Sequence, residues 1–173
     1  MVRLGIGYET LKEINPKIIL ASLSGFGQTG HYAKRRSFDL IAQAMSGYMT
    51  TTSQSVTATT GIKNIPPVLV TDAPGDTYPG TIAALIILAA LYNREKTGEG
   101  QWIDVAQLDA MVFLMAPSIV SYLLVNSTIP ELRMKAPPGA YGLYKSRDKY
   151  VAVGADPAIM DRLSKTIGIE KSK

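Results

Sequence analysis

The amino-acid sequence predicts an α/β fold, and three observations carry that expectation. Helix-type and strand-type patterns alternate along the chain. The apolar run KIILAS at residues 17–22 has the length and branching of a strand buried on both faces. Long apolar stretches over residues 80–92 and 110–125 then read as buried helices, each shorter than the ~20 unbroken apolar residues that span a bilayer. At 173 residues the chain is long enough for one ordinary domain or for part of a larger two-domain α/β enzyme.

The elements follow in order. Residues 8–14 (YETLKEI) form a short amphipathic helix stopped by Asn15-Pro16, because a residue before proline is pushed out of the α region. Strand 17–22 runs into the glycine-rich loop Gly25-Phe26-Gly27-Gln28-Thr29-Gly30. Residues 37–48 are helical, with Phe38, Ile41, Ala42 and Met45 at core spacing. Residues 50–63, rich in Thr, Ser and Gly, are expected to be a flexible loop. The turn Thr71-Asp72-Ala73-Pro74-Gly75-Asp76 leads into an apolar helix closed at Asn93 to Gly98. Residues 101–105 are a strand, and 107 to about 125 one helix. Residues 128–142, with Pro and Gly, are a linker; 150–153 are a strand and 157–167 a final helix. No internal repeat or low-complexity tract is visible, and the N-terminus lacks the pattern of a signal peptide.

Composition excludes several classes. Hydrophobic residues make up 46% and charged residues 18%, the balance of a globular chain. There is no cysteine, hence no disulfide framework or thiolate metal site, and the single histidine, His31, argues against a histidine metal centre or a Ser-His-Asp triad. The net charge of +4 suits an anionic ligand, but no long Lys/Arg run points to nucleic acid.

Three features could carry chemistry. The loop at residues 25–30 matches GxGxxG after a strand, yet no apolar helix follows at once and no acidic residue ends a second strand about 20 positions on, so a dinucleotide site is disfavoured and the glycines serve a sharp turn or a close approach to ligand. Lys34, Arg35 and Arg36 read either as a solvated run or as a phosphate clamp. Asp76 lies at or near the first turn of the apolar helix, where free N–H groups and partial positive charge favour an anion. It reads either as a helix cap or as a nucleophile, and composition does not choose between them. Asp72 is a loop or capping residue, and His31 a loop residue.

The stretches Asn15 to Gly30, Ser37 to Gly47, Gly75-Asp76-Thr77-Tyr78-Pro79-Gly80, Ile87 to Leu91 and Gly98 to Asp104 resemble, in order and spacing, the class III CoA-transferases, also called the CaiB/BaiF family. The resemblance runs from about Arg3 to Asp156 and implies an incomplete Rossmann-like large domain over residues 1–127, followed by a linker and the start of a small domain over 128–173. It implies that Asp76 attacks an acyl-CoA carbonyl to form a mixed anhydride, then carries CoA as an aspartyl thioester, and passes it to an acceptor carboxylate. Gly25, Phe26, Gly27 and Gln28 would then lie beside the acyl group, while Arg36 (or its neighbour Arg35) and Arg3 would contact CoA phosphates.

The family also contains α-methylacyl-CoA racemases, which place histidine immediately before the aspartate matching Asp39. Phe38 stands there, so a second proton-transfer group is missing and transferase chemistry is favoured over racemisation. The expected ligands are acyl-CoA, with coenzyme A as substrate and no permanently bound cofactor or metal, and a carboxylic acid acceptor. Neither nucleic acid nor membrane is an expected partner, and a cytoplasmic location is expected. Matching the middle of the family pattern, the chain covers less than half of a protomer of an interlocked dimer. It is therefore expected to need further segments or a partner chain, the alternative being a non-catalytic subunit or remnant.

Overall fold

The computed structural model describes residues 1–128, 130–131, 141–154 and 157–168. After a 3-10 turn at Val2–Leu4 come α1 (Tyr8–Ile14), β1 (Leu20–Ser24), α2 (Asp39–Met45), α3 (Tyr48–Thr60), α4 (Pro74–Thr97), β2 (Trp102–Ala106), α5 (Gln107–Leu114), α6 (Ala116–Val125), β3 (Tyr141–Lys145), β4 (Tyr150–Gly154) and α7 (Pro157–Ile167). The α/β class is as predicted.

β1 and β2 pair in parallel, from Leu20 beside Trp102 to Ser24 beside Ala106. Their carboxyl ends therefore coincide, and the chain leaves both strands at one edge. Parallel neighbours need a long crossover, supplied here by α2, α3 and α4. The core forms where α4 crosses the pair: Ala83 and Ala90 pack against Ile103 and Val105, flanked by Ile19, Ile82 and Ile87. Two alanines seven residues apart share one helix face, and their small side chains let the helix approach the strand closely.

Several expectations are corrected. The first strand is shifted to Leu20–Ser24 and is not buried on both faces, since Leu23 on its outer face is 50% exposed. The helix expected over 37–48 breaks after Met45, where Gly47 takes a left-handed conformation, and a second helix starts at Tyr48. The segment expected as a flexible loop at 50–63 is α3 as far as Thr60. Its Thr and Ser hydroxyls donate back to carbonyls three or four residues earlier, as from Thr52 to Tyr48, Ser53 to Thr50 and Thr59 to Ser55, so they satisfy themselves within the helix. Left-handed Gly47 and Gly61 close its two ends.

The helix expected from 107 to 125 is two helices meeting at Met115 with a 62° bend, because Pro117 cannot continue the hydrogen-bond ladder of α5. The linker expected over 128–142 ends in β3, which pairs antiparallel with β4 through a turn in which Ser146 N–H donates to Lys149 O. The rest of that linker lies largely outside the described residues.

α4 is longer than its apolar run, because Pro74 starts it early and Asn93 to Thr97 extend it. By length and composition it is the one helix among the described residues able to cross a bilayer on its own, with the bent α5–α6 pair a second candidate if taken as one span. It packs on both strands, α2 and α5, but only 22% of its apolar window is buried. Neither apolar helix is buried all round. Leu85, Leu88 and Tyr92 on α4, Phe113 on α5, and Leu123 and Leu124 on α6 are all more than half exposed.

Candidate active site

Asp76 sits in the first turn of α4 and is exposed. It is not the cap residue: Ala73 occupies that position in a left-handed conformation, without a side-chain cap bond. The free N–H groups expected there are engaged. Pro74 has none, Gly75 N–H donates to Asp39 Oδ1 at 2.7 Å, and the amides of Asp76 and Thr77 donate to Ala73 O. The direct donor to the Asp76 carboxylate is the side chain of Gln107, whose Nε2 lies 2.5 Å from Oδ1.

Two residues that sequence reasoning passed over hold this helix start in place. Gln43, fully buried on α2, binds the backbone of Val70 as a strand partner would, donating to Val70 O at 2.8 Å and accepting from Val70 N–H at 3.1 Å. Its amide also donates to both Asp39 oxygens, and Asp39 in turn receives Gly75. A buried amide paired on every side fixes one geometry, because any lost partner would leave a polar group unsatisfied. Asp39 lies within the Ser37 to Gly47 motif, next to Phe38, but nothing local announces a bond to Gly75.

The glycine-rich loop occupies the same edge of the sheet. Gly25 O accepts Leu108 N–H in the first turn of α5, one residue after Gln107. Gly27 is left-handed, and Gln28 N–H donates to Asp104 Oδ2 at 2.8 Å. A Cβ on Gly25 would lie 2.1 Å from Ser37 Cβ, so glycine is required for that approach. Residues 37–39 thus run between the two halves of the site, Ser37 against Gly25 and Asp39 on Gly75. The edge beyond the carboxyl ends of parallel strands is where open α/β sheets take their ligands.

The remaining predicted residues divide. Phe26 is half-buried, edge-on to Tyr32 at 5.4 Å, and Arg35 stacks its guanidinium 4.2 Å above the Tyr32 ring. Arg36 is exposed and, like Arg35, forms no ion pair among the described residues. Phe38 caps α2 and is 73% exposed, offering no titratable group. The turn holding Arg3 borders a cleft of about 360 Å³ in which Met1 and Val2 face Gln28, Ser22 and Trp102, but Arg3 itself does not line it. Ser24 Oγ, at the end of β1, is buried without a partner among the described residues. His31, Lys34 and Asp72 are exposed loop residues. Among the described residues no cluster of His, Asp or Glu could hold a metal.

Removing the Asp104 carboxylate should release the loop. Asp104→Ala is expected to cost about 1 kcal/mol for the lost hydrogen bond and to speed hydrogen exchange at the Gln28 amide, while Asp104→Asn, which keeps an acceptor oxygen, retains most of the protection. Exchange measured by NMR checks this, and equal protection in wild type and Asp104→Ala would refute the anchor.

Known proteins share this sequence and fold. The sequence model of CoA-transferase family III matches residues 1–173. A succinyl-CoA:mesaconate CoA-transferase of Haloarcula hispanica is 43% identical over 126 residues, covering 70% of this chain and 30% of that protein. A succinate–glutarate CoA-transferase of Agrobacterium fabrum is 35% identical over 174 residues, covering 98% of this chain and 41% of that one. A CaiB/BaiF family protein of Brucella suis, of known structure, superimposes with a TM-score of 0.71 at 29% identity, covering 97% of this chain and 43% of that chain. The chain thus spans less than half the length of these relatives.

Proposed function

The chain belongs to CoA-transferase family III, and from that premise we propose that it moves coenzyme A from an acyl-CoA to a free carboxylic acid, with Asp76 as the nucleophile. The observation that carries the proposal is the placement of one exposed carboxylate at the carboxyl edge of the parallel pair, with an amide donor on one oxygen and the glycine-rich loop beside it. A carboxylate oxygen is itself a nucleophile and needs no base to activate it.

In the proposed sequence Asp76 Oδ2 attacks the thioester carbonyl, the C–S bond breaks, and CoA thiolate leaves with the electron pair. The thiolate then attacks Asp76 Cγ, expelling the donor acid as its carboxylate and leaving CoA on Asp76 as a thioester. An acceptor carboxylate displaces the thiolate to form a second anhydride, and the thiolate cleaves that anhydride at the acceptor carbonyl, restoring Asp76. No net proton is moved, so these steps need no acid–base group. The loop amides and Gln28 would orient the acyl group, and Arg36 would meet CoA phosphates. Arg3 is assigned the same role from its motif alone.

Phe38 supports transfer over racemisation, since it supplies no proton-transfer group beside Asp39. The exposed apolar faces of α4, α5 and α6 support a requirement for further polypeptide, either a longer chain, a partner chain or the second protomer of an interlocked dimer. They equally suit a second reading, a non-catalytic subunit or remnant that keeps this fold within such an assembly. A large domain over 1–127, a small-domain start over 128–173 and a cytoplasmic location are parts of the same proposal. Succinyl-CoA is the donor to try first, because relatives are named for it. The chain, alone and with a partner supplying the rest of the fold, is incubated with succinyl-CoA and then hydroxylamine. A hydroxamate mapped to Asp76 by peptide mass supports the enzyme, and its absence in both preparations refutes it in favour of the non-catalytic subunit.

A further inference from the structure

Resting on the reading of Asp76 as nucleophile, we propose that Gln107 is the oxyanion donor of the aspartyl carbonyl, bonded to Oδ1 throughout the reaction while Oδ2 does the attacking. Gln107 Nε2 donates to Oδ1 in the free site. Once Oδ2 has formed its bond to the acyl carbon, Oδ1 is the carbonyl oxygen of the aspartyl anhydride. When CoA thiolate attacks Cγ, the π pair of Cγ=Oδ1 moves onto Oδ1, and collapse returns it as the donor carboxylate leaves with Oδ2. The same atom takes the charge when the acceptor carboxylate attacks Cγ of the thioester and expels the thiolate. A donor on Oδ1 therefore serves both substitutions at Cγ.

Among the described residues, the donors at the start of α4 are already engaged. The amides of Gly75, Asp76 and Thr77 are already bonded to Asp39 or Ala73, and the Thr77 hydroxyl donates to Ala73 O as well. The backbone that carries Gln107 is also held. Gln107 is the first residue of α5, directly after buried Ala106 of β2, and the next amide is bonded to Gly25 O. Such preorganisation is what makes an oxyanion donor effective, because nothing needs to reorient as the charge develops.

The assembled protein is tested with Gln107→Leu, which removes the donor, and Gln107→Glu, which keeps the shape but presents an acceptor. Hydroxamate formation at Asp76 and steady-state transfer are measured with succinyl-CoA, alongside thermal melting. The expected result is a fall in kcat of about 10²–10³-fold in both variants, with KM for succinyl-CoA and the melting temperature close to wild type. A purely structural role predicts activity that follows the folded fraction in both variants; that pattern overturns the inference. So does a rise in KM with kcat unchanged, or wild-type rates in Gln107→Leu, provided the wild type itself yields the Asp76 hydroxamate. Failure of the wild type to yield it overturns the nucleophile reading, and this inference with it.

Discussion

Asp76→Ala is expected to reduce CoA transfer by roughly 10³-fold or more, the order of loss seen when a covalent nucleophile is deleted, and to leave the fold close to intact. The carboxylate is exposed and, among the described residues, its side chain makes one hydrogen bond, to Gln107. An acid in the first turn of a helix contributes only about 0.3–1 kcal/mol. The start of α4 is fixed instead by Asp39, Gly75, Gln43 and Val70, none of which touches the deleted group. Asp76→Asn sharpens the test. The amide is isosteric and its oxygen can still accept from Gln107, but it does not displace a thiolate, so activity should fall as far as with alanine at an unchanged melting temperature. Transfer at wild-type rates in either variant would remove Asp76 from the chemistry.

The sequence was legible where one residue imposes a local rule. Asn15-Pro16 ends α1 where expected, and Gly98 in a left-handed conformation ends α4. It misled where side-chain chemistry depended on a conformation already formed. The run of Thr and Ser in α3 carries little helix propensity, and its hydroxyls gain their carbonyl partners only once the helix exists.

The site divides in the same way. Asp76 and the glycine-rich loop could be named because the family resemblance supplied a role for each. Asp39, Gln43, Asp104 and Gln107 act across 27 to 76 residues of chain, and no periodicity encodes such partners. Gln107 had one signal, its place directly after a strand, which sets the first residue of the next helix at the carboxyl edge of the sheet.

Gly75→Ala is expected to damage both stability and transfer, although alanine normally favours a helix over glycine. The added Cβ would lie 2.7 Å from Asp39 O, 2.9 Å from Asp39 Oδ1 and 3.0 Å from Asp39 Cα. Two of these are backbone atoms of α2, so relief requires the helix starts to separate and not merely a rotamer change. Overpacking of this kind costs about 1–3 kcal/mol, more than the roughly 0.5–1 kcal/mol gained by replacing a helical glycine. The separation would also strain the bond from Gly75 N–H to Asp39 and carry Asp76 away from Gln107. A misplacement near 1 Å can cost about 10²-fold in rate, so kcat should fall further than the melting temperature alone explains. Gly80 provides the control: it lies in the same helix, and a Cβ added there would meet nothing within 4 Å. Gly80→Ala should therefore stabilise the fold by about 0.5–1 kcal/mol. Circular-dichroism melts and transfer assays on the pair decide the matter, and matching behaviour of the two variants would show that contact with α2 does not set the position of Asp76.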